Sequence, residues 1–383
     1  MSFSTDTLVK EVQLPFAVNE VRPHDSGVVV VDLRAVQANY RAFSEVLAPA
    51  KVAPVLKANA YGLGLLPVAE ALHEVGVNQI FVATIDEAVS VKRYLPSLDV
   101  FVLYGLFFNT IDVFLEENVT PVLNTLEQVK LWNAQAVRMQ RKLPCVIHID
   151  TGMSRTGMTI VEAQKLAEQK HLLNPLYVKY IMSHLACAET KDHPLNDKQK
   201  QDFSSILKYF PGIPTSLSAT LVGNFDASYR MDMVRVGYGL YGYIHMHNPI
   251  SLQEVLHVYG RVVQVRNSLA GDNVGYGGRC TLSKDSKLAT IAVGYADGYH
   301  RFLHNYDTAV YFGNYRAPLM GRISMDFIVV DVTNIPEPYV HEGAWAELIG
   351  SHIRVADLIK GTDFVPHEIP ISLGNRYHKK YIK

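Results

Sequence analysis

Lys57 lies where an apolar segment gives way to a turn, a position from which an amine can do chemistry. Residues 53–56 are apolar, and Asn59, Gly62 and Gly64 end any strand soon afterwards. A lysine at such a strand end keeps its aliphatic chain in the protein and presents its amine to a ligand. Partial desolvation there lowers the pKa of the amine and prepares it to form a Schiff base with a carbonyl. A solvated lysine at a strand-loop junction fits this segment equally well, so other residues must decide.

Polar side chains also stand at the ends of later predicted strands. Arg155 lies in a glycine-bounded loop, His184 closes a strand, Ser218 lies near the end of the next, and Arg235 belongs to the last. Each alone is weak evidence, since a strand-end histidine is more often a hydrogen-bonded core residue. Together they suit a planar, anionic, carbonyl-bearing cofactor. Lysine binds the aldehyde of such a group, hydroxyls and backbone amides bind its phosphate, and guanidinium groups contact its ring.

The elements that must position these residues alternate between short apolar runs and helix-length amphipathic segments, such as 66–75 and 127–138. Eight strand-then-helix units predict an α/β fold, a (β/α)8 TIM barrel. A doubly wound open sheet is the alternative, because a strand count does not show closure. The predicted strands are Pro54–Asn59, Ile80–Ala83, Val100–Tyr104, Pro121–Asn124, Cys145–Asp150, Tyr180–His184, Ser216–Ala219 and Val234–Gly237.

After about residue 250 the pattern changes to short β-branched segments separated by Gly, Asp and Asn turns, which predicts a mainly β domain. Strands are expected at 261–265, 287–293, 309–312 and 327–332. We therefore divide the chain into three parts. They are an N-terminal segment at residues 1–27 that packs with the β domain, a barrel at 28–250 and a C-terminal β domain at 251–383.

Composition and charge exclude several classes of function. Lys and Arg number 36 against 37 Asp and Glu, a net charge of −1, so there is no electrostatic case for binding nucleic acid or a membrane surface. The three cysteines show no CxxC spacing, which argues against a disulfide framework and against a zinc cluster, and we expect no metal. The first residues lack the basic and apolar regions of a signal peptide. We expect a soluble, cytoplasmic enzyme.

Ordered motifs along nearly the whole chain resemble the alanine racemase family of barrel enzymes that depend on pyridoxal 5'-phosphate (PLP). So many motifs in the same order make a chance match negligible. In the barrel they are residues 55–62, 150–155, 183–186 and 233–242, and in the β domain residues 274–277, 293–298 and 321–326.

The resemblance implies that Lys57 carries PLP covalently and that Tyr276 is the second of two bases. Racemisation requires two, because one removes the Cα proton and the other delivers a proton to the opposite face. Tyr276 is expected to reach in from the other subunit, which makes the enzyme a homodimer with shared active sites. Lysine and tyrosine side chains ordinarily have pKa values of about 10.4 and 10, so such bases need surroundings that lower the pKa.

The resemblance also implies the other contacts of the site. Arg235 faces the pyridine nitrogen and donates a hydrogen bond without protonating it, and His184 buttresses Arg235. Arg155 contacts the cofactor and the substrate carboxylate. The residues expected around the phosphate are Tyr61, Ser218, Gly237 and Tyr238, with Ser216 as the alternative to Ser218. The remaining substrate-binding residues are Met325, through its amide, Tyr295 and Asp326.

Three residues depart from the family pattern. His148 replaces a lysine that many relatives carbamylate to orient the arginine, so Arg155 must be oriented by the imidazole, by water or by an anion. Asn375 stands where relatives commonly have a tyrosine, and Tyr104 where an aliphatic residue is usual. We hypothesise that Tyr104 partly refills the space lost at Asn375, and that the more polar pocket admits serine as well as alanine.

Four functions are compatible with these observations. Alanine racemisation leads, either to supply D-alanine for peptidoglycan or for L-alanine catabolism. A broader amino-acid racemase is second, favoured by Asn375. A PLP-dependent decarboxylase is third, because it would require a cysteine nucleophile in the β domain and Cys280 is not in that context. A non-enzymatic PLP carrier is last, since a carrier needs no second base such as Tyr276.

Overall fold

The computed structural model describes residues 14–17, 20–244 and 250–383. Contacts divide the chain into two units, which we call the barrel unit and the β unit. The barrel unit is Leu33–Gln253, and the β unit combines the chain up to Asp32 with Glu254–Lys383. No helix within the described ranges is long and apolar enough to cross a membrane.

Strands and helices are numbered in chain order. The strands are β1 (Gly27–Asp32), β2 (Lys51–Pro54), β3 (Gln79–Val82), β4 (Asp99–Val102), β5 (Thr120–Leu123), β6 (Leu143–His148), β7 (Leu176–Met182), β8 (Thr215–Ser216), β9 (Met233–Val236), β10 (Leu256–Ser268), β11 (Asn273–Val274), β12 (Cys280–Thr281), β13 (Ser286–Ile291), β14 (Ala309–Phe312), β15 (Tyr315–Pro318), β16 (Ile328–Asp331), β17 (Trp345–Ile349) and β18 (His378–Ile382). The helices are α1 (Leu33–Leu47), α2 (Leu65–Glu74), α3 (Ile85–Tyr94), α4 (Ile111–Glu116), α5 (Leu126–Arg138), α6 (Ile160–Glu168), α7 (Pro194–Leu207), α8 (Val355–Leu358) and α9 (Glu368–Ser372).

Eight parallel strands of the barrel unit close on themselves. Strands β3 to β8 pair in sequence order, and β2 pairs with β9. Two isolated bridges complete the ring: Val55 with Phe81, just past β2, and Ala219 with Arg235, just past β8. The predicted (β/α)8 barrel is confirmed, and its closure excludes the open doubly wound sheet.

The barrel interior is a packed core rather than a pore. Phe81 and Phe101 are fully buried and stack with ring centroids 4.7 Å apart. Chemistry is therefore confined to the strand ends and the loops that follow them. The other interior side chains are Ala53, Val55, Val122, Val146, Tyr180, Met182 and Met233.

Each predicted barrel strand overlaps an observed one, and the predicted helical patterns at 66–75 and 127–138 appear as α2 and α5. The first strand is displaced: it was expected at Pro54–Asn59 and is observed at Lys51–Pro54. The extended backbone ends there because the chain turns into a short helical segment, Lys57–Tyr61.

The β unit is built on one sheet in the order β15-β14-β17-β10-β1-β18. The long strand β10 pairs with β1 and β17 and, further along, with β13, which in turn pairs with β16. Neighbours in this sheet are antiparallel, apart from the parallel pair β1 and β18. The mainly β C-terminal domain is confirmed, and its four predicted strands correspond to β10, β13, β14 and β16.

The start of the barrel differs from the predicted boundary at residue 28. Residues 28–31 are fully buried valines that pair with β10 on one side and β18 on the other. A strand with both faces buried needs such a continuous apolar run, and this one belongs to the β unit, so the barrel unit begins at Leu33. Of the predicted segment 1–27, residues 1–13, 18 and 19 lie outside the described residues, as do 245–249.

Replacing Phe81 by alanine should lower the free energy of unfolding by roughly 3–5 kcal/mol, because the lost ring leaves a cavity inside the barrel. Urea denaturation followed by circular dichroism measures the loss. Phe108→Ala is the matched control, since that side chain is 79% exposed, and should change stability by less than about 0.5 kcal/mol. Equal losses in the two variants would contradict the packing described.

Candidate active site

Lys57 opens one turn of left-handed helix just past β2. Residues 58–61 have φ between 53° and 56°, a conformation that costs non-glycine residues roughly 1–2 kcal/mol each. Asn59 stabilises the turn, because its Oδ1 accepts from the Leu65 N–H at 2.8 Å and its own N–H donates to Glu87 Oε1 at 3.0 Å. Backbone strain of this kind persists where surrounding contacts hold it and is concentrated at functional sites.

The turn brings the Tyr61 hydroxyl against Gly237, where a Cβ would overlap that hydroxyl. Burial raises the pKa of Tyr61 to about 12, so the phenol is neutral and can donate a hydrogen bond. The Gly237 N–H donates to Thr220 Oγ1 at 3.0 Å. Tyr238 begins the next turn, and burial followed by the charge of Glu189 raises its pKa. Neutral donors gathered at one place suit a phosphate.

The serines predicted for this position are engaged elsewhere. Ser218 is fully buried, and its hydroxyl donates to the Tyr229 carbonyl at 2.7 Å. The Ser216 hydroxyl donates to the Met233 carbonyl at 2.7 Å. Thr220, rather than Ser218 or Ser216, therefore stands beside Gly237. Sequence reasoning missed Thr220, although its place directly past the predicted strand 216–219 was a signal.

Arg235 is a buried cation held by uncharged groups. Its guanidinium donates to the Ser216 carbonyl at 3.0 Å, the Ser216 hydroxyl at 2.5 Å and the Ser183 carbonyl at 2.5 Å. No carboxylate forms an ion pair with it in the described part of the chain. Burial, followed by the charge of Arg155, lowers the pKa of Arg235 to about 10, so the group stays charged at neutral pH.

Two histidines beside Arg235 are neutral. Arg235 Nη2 lies 3.3 Å from His184 Nδ1, and because guanidinium only donates, Nδ1 is the acceptor. Burial, followed by Arg235, holds the pKa of His184 well below its usual value. Burial, followed by Arg235 and Arg155, lowers the pKa of His148 to about 3. The predicted contact between His184 and Arg235 is thus present.

Asn124 fixes the tautomer of His148. The Asn124 amide nitrogen donates to the carbonyls of Leu103 at 3.0 Å and Val122 at 3.2 Å. Its Oδ1 is therefore the acceptor that lies 2.8 Å from His148 Nδ1, which must carry the proton. The neutral imidazole is left with an unprotonated Nε2. A neutral acceptor thus occupies the position where many relatives have a carbamylated lysine.

Positive charge predominates around Lys57. Burial, followed by the charge of Arg155, lowers the pKa of Lys57, whereas Glu87 raises it. Arg155 is exposed on the loop after β6, which is closed by a hydrogen bond from the Asp150 N–H to the Met158 carbonyl at 2.8 Å. The arrangement favours an unprotonated amine and an anionic ligand at the same place.

The other predicted residues lie in the β unit. Tyr276 is 71% exposed and begins a short turn, Tyr276–Gly278. Tyr295, Met325 and Asp326 lie together, because the Tyr295 N–H donates to the Ser324 carbonyl at 3.1 Å. Asp326 is already paired, with Arg376 at 2.7 Å.

The other two departures from the family pattern, at Tyr104 and Asn375, lie in different units. Tyr104 belongs to the barrel unit and Asn375 to the β unit, and both are exposed. The hypothesis that Tyr104 compensates for Asn375 and that the pocket admits serine therefore stays a prediction.

Comparison with known families agrees with this geometry. Residues 31–245 match "Alanine racemase, N-terminal domain" and residues 255–381 match "Alanine racemase, C-terminal domain". The chain belongs to the alanine racemase family. Alanine racemase of Brucella abortus is 38% identical in an alignment 386 positions long, which covers 97% of each chain. That of Rhizobium meliloti is 33% identical over 93% of this chain and 97% of its own.

Solved structures of family members share the fold. Alanine racemase from Bartonella henselae, crystallised with covalently bound pyridoxal phosphate, superposes with a TM-score of 0.87 at 36% identity, over 93% of this chain and 99% of its own. The biosynthetic alanine racemase from Pseudomonas aeruginosa superposes with a TM-score of 0.84 at 27% identity, over 94% and 100% of the two chains.

Charge variants should move the pKa of Lys57 in opposite directions. Arg155→Gln should raise it, because a repelling cation is lost, and Glu87→Gln should lower it, because an attracting anion is lost. Competitive acetylation with mass spectrometry across a pH series, with the amine free, measures the pKa. Glutamine keeps an acceptor for the Asn59 N–H. Shifts of the same sign in both variants would contradict the electrostatic origin.

Proposed function

We propose that this protein is a PLP-dependent alanine racemase, an isomerase that interconverts L-alanine and D-alanine. The observation that carries the proposal is Lys57, a lysine with a lowered pKa set among cationic and neutral groups at the mouth of a barrel. Family membership supports it, as does the Bartonella henselae alanine racemase, whose crystal structure contains covalently bound pyridoxal phosphate.

The residues present fit this cofactor. The Lys57 amine would hold its aldehyde carbon, and the absence of a side chain at Gly237 lets the Tyr61 hydroxyl lie against the backbone there. Arg235 would donate to the ring nitrogen, and Arg155 would contact the ring oxygen. When bound, PLP withdraws electrons from the amino acid and acidifies the Cα proton. The proposed phosphate ligands are Tyr61, Thr220, Gly237 and Tyr238.

Lys57 and Tyr276 would supply the two bases. Lowering the pKa of Lys57 leaves more of its amine unprotonated at neutral pH, so it can accept a proton from one face of Cα. The Tyr276 hydroxyl would hold the proton for the opposite face. The ring of Tyr276 is 71% exposed and so available to a second copy. We therefore propose a homodimer in which Tyr276 of each copy serves the Lys57 site of the other.

The carboxylate of alanine would be bound by Arg155 and by the Met325 amide, with Tyr295 and Asp326 lining the approach. No acceptor for the Met325 N–H is found in residues 14–17, 20–244 and 250–383. A cytoplasmic location and a role in supplying D-alanine for peptidoglycan form part of the same proposal and rest on the family resemblance.

The direct test incubates the purified protein with PLP and a panel of amino acids, including L-alanine and L-serine, and separates products by chiral chromatography. We expect D-alanine to accumulate until the two enantiomers are equal. Production of an amine would instead favour the decarboxylase, and no turnover of any amino acid would contradict a racemase.

Tyr276→Phe should retain the cofactor absorbance but lose racemisation, with one direction affected more than the other, because one of two bases is removed. Rates of L-to-D and D-to-L conversion measure the effect. Lys57→Ala is the contrasting variant and should lose the covalently held cofactor altogether. Near wild-type rates in both directions for Tyr276→Phe would remove Tyr276 from the mechanism.

Thr220→Val should weaken PLP retention roughly tenfold or more, because it removes one hydrogen bond to a charged group, ~1.5–3 kcal/mol, at nearly constant volume. The measurement is cofactor absorbance after dialysis against graded PLP. Ser218→Ala is the control and should retain the cofactor, since its hydroxyl serves the Tyr229 carbonyl. The reverse ranking would support Ser218 as the phosphate ligand.

A further inference from the structure

We propose that Arg376 is a positioning residue that fixes the segment Ser324–Asp326 in the orientation in which the Met325 amide binds the substrate carboxylate. This inference rests on the proposed function. It assigns a role in substrate recognition to a residue near the end of the chain that makes no contact with substrate itself.

The Arg376 guanidinium joins two separate segments. Its Nε donates to Asp297 Oδ1 at 2.7 Å and its Nη2 to Asp297 Oδ2 at 2.8 Å, a bidentate pair. Its Nη1 donates to Asp326 Oδ1 at 2.7 Å. A planar fork with fixed donor directions therefore sets the separation of the two carboxylates, which a lysine ammonium could not do.

Asp297 provides the rigid side of this arrangement. It is 4% exposed, and its Oδ2 also accepts from the Gly294 N–H at 2.9 Å. Its backbone carbonyl accepts from the Gly374 N–H at 3.1 Å, which ties the segment just before Arg376 to the same turn. Asp326 is about half exposed, so the fork joins a buried acid to a more exposed one.

The backbone of Ser324–Asp326 is held against the same turn. The Tyr295 N–H donates to the Ser324 carbonyl at 3.1 Å, and the Ala296 N–H donates to the Met325 carbonyl at 3.0 Å. A Cβ on Gly294 would overlap both of these carbonyl oxygens, so the two segments are in close contact. Only glycine permits this approach.

These contacts determine where the Met325 N–H points. That N–H and the Ser324 carbonyl belong to one planar trans peptide, in which they point in opposite directions. Because the Ser324 carbonyl is bound by the Tyr295 turn, the Met325 N–H points away from that turn. Asp326 follows directly, so its bond to Arg376 restrains the same stretch from the other end.

The test uses holoenzyme carrying Asp326→Asn or Arg376→Lys. Each weakens the fork, because asparagine lacks the charge of Asp326 and lysine lacks the planar set of donors. Neither leaves the buried Asp297 without a cationic neighbour, which Arg376→Gln would do. We expect KM for alanine to rise roughly five- to tenfold with a smaller change in kcat. The dissociation constant for propionate, a carboxylate without the reactive amine, should rise by the same factor in isothermal titration calorimetry. Cofactor absorbance should not change in either variant, and the Tm of Asp326→Asn, which leaves the pair with Asp297 intact, should stay at the wild-type value.

Asp307→Asn is the matched control. It removes the negative charge from the exposed pair between Arg316 and Asp307, 2.6 Å apart and also in the β unit, and should leave KM and propionate affinity unchanged. Wild-type propionate affinity in both fork variants, or a loss shared equally by Asp307→Asn, would overturn the positioning role. A wild-type enzyme that fails to racemise alanine would overturn the proposed function instead.

Discussion

The buried charge of Arg235 is the constraint on which the rest of the barrel site depends. Its guanidinium is held by carbonyls and a hydroxyl, and within the described ranges it has no carboxylate to neutralise it. A buried cation without a counterion is costly unless its neighbours adapt. The imidazoles of His148 and His184 adapt by staying neutral, and the site is thereby prepared for a ligand that brings its own negative charge.

The left-handed turn after Lys57 brings a lysine and a tyrosine to the mouth of the barrel within five residues of chain. A right-handed turn would direct Tyr61 differently. The strain of residues 58–61 is offset by Asn59 and Glu87, whose hydrogen bonds link the turn to α2 and to the start of α3. The positions of the amine and of the phenol are therefore coupled through the backbone.

Much of the fold and of the candidate site could be predicted from the sequence, because buried strands have a recognisable residue pattern. Parallel barrel strands are buried on both faces, so they appear as apolar runs, and polar residues at their ends mark the site. The handedness of the turn could not be predicted, since Ala58 and Ala60 favour an ordinary helix. Nor could the contact of Ser218, since no local pattern shows that its hydroxyl donates a hydrogen bond to the Tyr229 carbonyl.

Contacts between residues that are distant in the chain could not be predicted from the sequence either. Asp326 was expected to line the approach to the site, and its carboxylate is bound by Arg376. Arg376 and Asp297 are 79 residues apart, and no local pattern connects them. The place of β1 in the β unit could not be predicted for the same reason, because its strand partners follow much later in the chain.

That first strand has a consequence for biosynthesis. The valines of β1 leave the ribosome before the whole barrel unit, whereas the strands that cover both of their edges, β10 and β18, are translated only after it. For that interval a short, β-branched, uncharged stretch has no sheet to join, and such stretches self-associate when exposed. The nascent chain is therefore vulnerable to aggregation while its barrel is being translated and until β10 and β18 follow.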